Sequence, residues 1–101
     1  MSVPAYSAVT RTQGANAALK DGTVRPHTFA FAFEEVPVLV DAFRRMVRGR
    51  EFDISELAMT TYIAGRRFNP GFTALPIFIV RGFHHGAILY NVNSGVKHPK
   101  D

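Results

Sequence analysis

Residues 27–33 read HTFAFAF, and no other stretch of this chain constrains its fold so strongly. Alternation with a period of two marks a β-strand, because successive side chains on a strand point to opposite faces. Here neither face is polar: Phe29, Phe31 and Phe33 alternate with Thr28, Ala30 and Ala32. A strand that is apolar on both faces has to be covered on both, as in a sheet sandwiched between helices. The rest of the chain must therefore supply those helices.

Residues 36–47 read as the strongest of them. Val36, Leu39, Val40, Phe43, Met46 and Val47 recur at three- and four-residue steps, with Asp41, Arg44, Arg45 and Arg48 on the opposite side. Pro37 suits a first turn, Glu34 and Glu35 the positive dipole end, and Arg48 with Gly49 the close. Asp41 is spaced to meet Arg44 and Arg45. A shorter helix is expected in the run ANAALKDG, residues 15–22, ended by Gly22 in a left-handed conformation. A third covers residues 58–64 and ends by Gly65, or at the latest before Pro70. Strands are expected over residues 3–9, 52–57, 72–80 and 86–93, the third of these carrying Pro76 and so suited to an edge or irregular position.

Strand, helix, strand, helix, strand, helix, strand, strand is the order of an α/β fold, a three-layer sandwich built on a largely parallel sheet. With 101 residues there is room for one domain spanning 1–101 and no second independent core. Phe29, Phe31, Phe33, Phe43 and Phe78 are read as core rather than as a platform for substrate.

Composition removes several function classes. The chain has no cysteine, which excludes disulfide scaffolds, thiolate metal sites and thiol catalysis. No apolar run approaches the roughly twenty residues that span a bilayer, so no membrane insertion is expected. The opening MSVPAYSAVTRTQG lacks the basic and apolar regions of a secretory signal, which makes the cytoplasm the expected location. Net charge is +4, and of nine arginines six (Arg44, Arg45, Arg48, Arg50, Arg66, Arg67) crowd the middle of the chain. Most of them fall on a solvated helix face, and no nucleic-acid motif accompanies them, so the expected partner is an anionic small molecule rather than a nucleic acid.

In an open parallel sheet, ligands sit outside the carboxyl ends of the strands. Three segments fall there: Thr10, Arg11 and Thr12; residues 55–61 with Ser55, Glu56, Thr60 and Thr61; and residues 81–85 with Arg81, His84 and His85. A helix start preceded by hydroxyls offers unpaired N–H groups to a carboxylate or phosphate, while Ser55 or Thr60 can equally serve as a helix cap. Glu56 is the only acid between Asp53 and Asp101, and it acts as an acid or base or simply faces water. His84 and His85 are neighbours on an expected strand, so they point to opposite faces and do not share a metal ion. No metal site is expected, and one of the two histidines is better placed as a proton donor. The planar fork of Arg81 suits a carboxylate, or lies exposed at a strand end. No phosphate-binding glycine loop and no nucleophile elbow occurs.

The stretches ALKDGTVRP (residues 18–26), FRRMVRGREFDISELAMTTYI (43–63) and ALPIFIVRGFHHGAILYN (74–91) resemble the amino-terminal third of 4,5-dihydroxyphthalate decarboxylase and its relatives. That family is similar to type 2 periplasmic binding proteins, two α/β lobes that close on a ligand. The resemblance implies that residues 1–101 form a single partial first lobe, without the second lobe. It also implies that Thr10, Arg11, Thr12, Ser55, Thr60, Thr61, Arg81 and His84 contact a small carboxylate ligand. The implied reaction uses no cofactor: Glu56 or His85 is the acid, Arg11 or Arg81 the anchor, and Thr60 or Thr61 an orienting hydroxyl. Two positions depart from the family pattern, which has an arginine at His84 and a serine at Gly86. The alternative is a non-catalytic solute-binding lobe of an ABC-transporter substrate-binding protein. A homo-oligomer formed through an exposed sheet edge is a third expectation.

Overall fold

The computed structural model describes residues 2–69, 71–80 and 82–101. Three parallel strands, β1 (Ala5–Val9), β2 (Ala30–Phe33) and β3 (Ile54–Ser55), lie side by side in the order β2-β1-β3. Helix α1 (Ala17–Lys20) joins β1 to β2, α2 (Leu39–Gly49) joins β2 to β3, and α3 (Met59–Phe68) follows β3. The result is a small α/β unit with a three-stranded parallel sheet.

Register sets the two faces of the sheet. Ala5 to Ala8 pair in order with Ala30 to Phe33, and Ala8 and Val9 pair with Ile54 and Ser55. Tyr6, Ala8, Phe31, Phe33 and Ile54 therefore share one face, and Ser7 and Val9 the other. The first connection steps from β1 to β2, and the second crosses back over β1 to β3. Right-handed crossovers in opposite directions place α1 and α2 on opposite faces. On the α2 face, Val9, Ala42 and Phe52 are buried, with Val36, Leu39 and Met46 packed around them. Each large side chain so buried contributes about 1.5–3 kcal/mol, which makes this small cluster the main source of stability. On the α1 face, Lys20 Nζ lies 5.8 Å from the centre of the Phe33 ring.

The double cover expected for HTFAFAF is only partly realised. A ladder of rings runs from Tyr6 to Phe29 (5.6 Å), to Phe31 (5.0 Å) and to Phe33 (5.0 Å). Helix α1 is a single turn that reaches the Phe33 end, and Tyr6 at the other end remains 41% exposed.

Helix α2 forms where its pattern places it, but Val40 of the expected apolar face is 50% exposed, and both ends need correction. It begins at Leu39, two residues beyond Pro37, and the left-handed residue that closes it is Arg50 (φ 49°), not Gly49. Gly49 has a different task. A side chain there would stand 3.2 Å from Glu51, which folds back to accept a 2.7 Å hydrogen bond from Arg45 Nε. Arg45 also pairs with Glu34 at 2.6 Å, so Asp41 holds Arg44 alone, at 3.0 Å. The hydrogen bonds from Arg45 to Glu34 and then Glu51 raise its already high pKa further. Helix α1 is followed by Gly22 in the expected left-handed conformation, φ 82°.

Helix α3 takes the later of its two expected ends, running through Gly65 to Phe68. Gly65 stays helical because packing requires it: a Cβ there would lie 2.9 Å from Phe72 Cζ and 3.0 Å from Val47 Cγ1. Phe72 is buried in this notch, its ring 5.8 Å from Tyr62 and its carbonyl accepting a hydrogen bond from Arg66.

The strands expected over residues 72–80 and 86–93 do not form among the described residues. A 3-10 turn at His85–Ala87 is the only regular element after α3 there. An apolar run makes a strand only where a neighbour completes the ladder, and among the described residues no strand pairs with these segments. Phe78, expected in the core, is 60% exposed. The radius of gyration is accordingly 18.1 Å, against about 13 Å for a compact chain of this length. No helix among the described residues is long and apolar enough to cross a membrane.

Candidate functional site

β1 and β3 are adjacent and parallel, so their carboxyl ends open on one rim. Thr10 and Arg11 follow directly after β1, and Glu56 directly after β3. The backbone N–H of Glu56 donates to Val9 O at 2.9 Å, which holds the acid beside the end of β1. Its Oε2 then accepts the Thr10 hydroxyl at 2.7 Å and the Arg11 backbone N–H at 3.1 Å. Among the described residues nothing donates to Oε1, so one oxygen of Glu56 is committed to the scaffold and the other is open.

The loop between β1 and α1 is built around Asn16, which is 8% exposed. Gln13 N–H donates to Asn16 Oδ1 at 2.7 Å, and this donor fixes the orientation of the amide. Asn16 Nδ2 then donates to Thr10 Oγ1 at 3.0 Å and to Arg11 O at 2.9 Å. The Thr10 oxygen is thus already an acceptor. Its single proton has two acceptors in reach, Glu56 at 2.7 Å and Arg11 O at 3.3 Å, and the shorter bond goes to Glu56.

Lys20 supports the same loop from below. Its side chain is 7% exposed, and it donates to Thr10 O at 2.9 Å and to Thr12 Oγ1 at 2.7 Å while pairing with Glu35. A buried ammonium is tolerated only when it is paired in this way. Gln13 Nε2 is also buried and has no hydrogen-bond partner. The Arg11 side chain is exposed, and its guanidinium makes no ion pair among the described residues. The rim therefore presents an open carboxylate oxygen and two threonine hydroxyls on a hydrogen-bonded frame, with the exposed Arg11 side chain on the same loop.

Of the segments expected to converge, two do so in part. Thr10 and the Arg11 backbone meet Glu56, while Thr12 is held by Lys20. Ser55 ends β3, and its hydroxyl donates to Glu56 O at 2.8 Å, a local bond. Thr60 and Thr61 go elsewhere: with Val47, Arg48, Ala64, Gly65, Phe68 and Asn69 they line an open groove of about 730 Å³ between α2 and α3. Neither Ser55 nor Thr60 caps α3, whose N-cap is Ala58 without a side-chain bond. His84 and His85 are exposed, and neither imidazole forms a hydrogen bond; the His85 ring stacks on Phe83 at 5.6 Å. Arg81 lies outside the described residues. Among the described residues no three His, Asp or Glu side chains gather as metal ligands.

Asn16, Lys20 and Gln13 were not legible as site residues. Asn16 opens an alanine-rich run and Lys20 sits in a last helical turn, so both read as ordinary helix residues. The one signal was the spacing of Asn16 six residues after Thr10, within reach of a tight loop. No family model, no curated protein and no solved structure matches this chain.

Proposed function

We propose that this rim is the carboxylate-binding wall of a cleft in an enzyme resembling 4,5-dihydroxyphthalate decarboxylase. The chain would then form part of the first lobe of a type 2 periplasmic-binding-protein-like clamshell. One observation carries the ligand-binding reading: Thr10, Arg11 and Glu56 meet where β1 and β3 end. The order β2-β1-β3 makes this the point where successive connections diverge, and open parallel sheets bind ligands at such points. The choice of reaction rests on the resemblance of residues 18–26, 43–63 and 74–91 to that family.

The unpaired Arg11 guanidinium anchors the carboxylate that is retained, through a charge-assisted fork. The Thr12 hydroxyl, held by Lys20, orients a ring hydroxyl. Glu56 delivers a proton from the open Oε1 to the ring carbon bearing the carboxylate that departs. The ring hydroxyl para to that carbon supplies the electrons for protonation. The carbon–carboxylate bond then breaks, its electron pair returns to the ring, and carbon dioxide leaves. Glu56 is left as the carboxylate and regains its proton from water. The electrons come from the ring itself, so the scheme calls for no cofactor.

The test is to incubate the protein with 4,5-dihydroxyphthalate and follow carbon dioxide and protocatechuate, with binding measured in parallel by calorimetry. Glu56→Gln is expected to lower turnover about 10²–10⁴-fold while leaving affinity within a few-fold. Unchanged turnover would reject Glu56 as the acid, and absence of binding would reject the rim as a ligand site. A second reading, a solute-binding lobe without catalysis, is favoured by Glu56 serving as an acceptor for Thr10 and Arg11 with no second carboxylate bonded to it. Binding without turnover would select it.

A further inference from the structure

The folded unit carries a projecting arm whose chemistry is that of a missing strand. Phe72 is pinned between α2 and α3, and beyond it residues 77–80 read Ile, Phe, Ile, Val. Ile77 is 69% exposed, Phe78 60% and Val80 58%, while Ile79 is half-buried. Among the described residues 73–80 the backbone makes one internal hydrogen bond, Ile77 N–H to Leu75 O at 2.8 Å, in a tight turn at Pro76. Residues 78–80 thus combine high strand propensity with unused donors and acceptors. A proline just before a strand is where strands tolerate one.

The same chain has an unfilled place for such a strand. β2 is at one end of the sheet. Ala30 N–H donates to Pro4 O and Glu34 N–H to Ala8 O, both at 2.9 Å and both toward β1. Alternation along the ladder therefore turns the N–H groups of Phe31 and Phe33 outward, to an edge with no neighbour. Beside that edge stands the half-covered ladder of Tyr6, Phe29, Phe31 and Phe33. The edge is four residues long and apolar, and so is the arm.

We propose that two copies of this chain exchange arms, residues 77–80 of each adding as a strand to the free edge of β2 in the other. A second copy is the occupant because the arm leaves from α2 and α3 and, among the described residues, pairs with no strand of its own sheet. The chain measures 67 × 34 × 24 Å, and the anchor at Phe72 lies with α2 and α3. β2, the edge to be filled, lies on the far side of β1 from β3. Reciprocal exchange uses both arms and both β2 edges and so closes as a two-fold dimer; the other free edge, at β3, is only two residues long. It satisfies the outward backbone of β2 and shields the exposed apolar side chains in one step. This inference is independent of the ligand-binding reading, because neither the arm nor the β2 edge belongs to the rim.

Light scattering and native mass spectrometry of the intact chain test it. A mass of about 22 kDa, twice the 11.2 kDa of one chain, is expected, together with slowed hydrogen exchange at residues 77–80. Ile79→Pro, which alters only the projecting arm, is expected to give a monomer with unchanged circular dichroism from the folded unit. Because the chain has no cysteine, mixing an Ala32→Cys chain with an Ile79→Cys chain is expected to yield a disulfide-linked heterodimer under oxidation. A monomer with freely exchanging arm amides would overturn the proposal. So would a monomer with protected arm amides, a mass that grows without limit, or a dimer that yields no mixed disulfide and survives Ile79→Pro.

Discussion

Thr10 and Glu56, 46 residues apart in sequence, lock the carboxyl ends of β1 and β3 together through a 2.7 Å hydrogen bond. The acceptor is a carboxylate, and such bonds contribute about 1.5–3 kcal/mol. Thr10→Val, which keeps the shape and removes the hydroxyl, is expected to destabilise the fold by an amount in that range in urea titration. Glu56→Gln weakens the same bond, so the double variant should lose less than the sum of the single losses. The expected coupling is about 0.5–3 kcal/mol, and strict additivity would contradict the bond.

Asn16 is the buried centre of the loop that presents Thr10 and Arg11. Asn16→Ala leaves Gln13 N–H and Arg11 O without that partner and frees the Thr10 hydroxyl to rotate. The expected cost is about 1–3 kcal/mol for each buried group left unsatisfied, read as a lower urea midpoint. A shift confined to the variant's surface behaviour, with an unchanged midpoint, would show that water replaces the amide.

Gly65 lies in the middle of α3, where alanine would ordinarily favour the helix by up to about 1 kcal/mol. Packing reverses that preference, since the added methyl meets Phe72 Cζ at 2.9 Å and Val47 Cγ1 at 3.0 Å. Gly65→Ala is therefore expected to be destabilising, by about 1–3 kcal/mol of overpacking less the helical gain. Val47→Ala makes room on one side, so the double variant should melt higher than additivity predicts.

Asp21 follows α1, and hydrogen bonding from the Thr23 side chain and then from its N–H, at 2.8 Å, holds its carboxyl below the ordinary value of 3.8. A depressed folded-state pKa contributes stability above the unfolded pKa and loses it as pH falls through the folded one. Asp21→Asn is expected to lower stability at neutral pH. The gap from the parent protein should close below about pH 4 as the parent's carboxyl takes up its proton. Chemical denaturation at a series of pH values reads the gap directly.

The elements that could be read from local pattern are those whose pattern is reinforced by immediate neighbours. The three- and four-residue steps from Val36 to Val47 have a physical meaning within one helix, and α2 forms there. Alternation in HTFAFAF places β2, although only its last four residues pair. The same logic misleads for residues 72–80 and 86–93. Both are mostly apolar, but a strand is a pairwise object, and among the described residues no strand pairs with them. The Arg cluster likewise divides in space: Arg45 leaves its helix neighbour Asp41 for Glu34 and Glu51, which approach only once the chain has turned back.

For the site, residue types and topology together were sufficient to bring Thr10, Arg11 and Glu56 to one rim, because parallel neighbours open at the same end. Local chemistry thus carried the helix faces, the strand alternation and the placing of an acid after β3. Which hydroxyl would meet that acid was settled by the fold. Thr60 and Thr61 lie only four and five residues from Glu56, yet the turn into α3 carries them to the groove beside Val47 and Phe68. Thr10 arrives from 46 residues away because β1 and β3 share a ladder. Distance along the chain limits what can touch only over a few residues. Beyond that, strand order and the direction of each crossover decide, and neither is encoded in the spacing of any single segment.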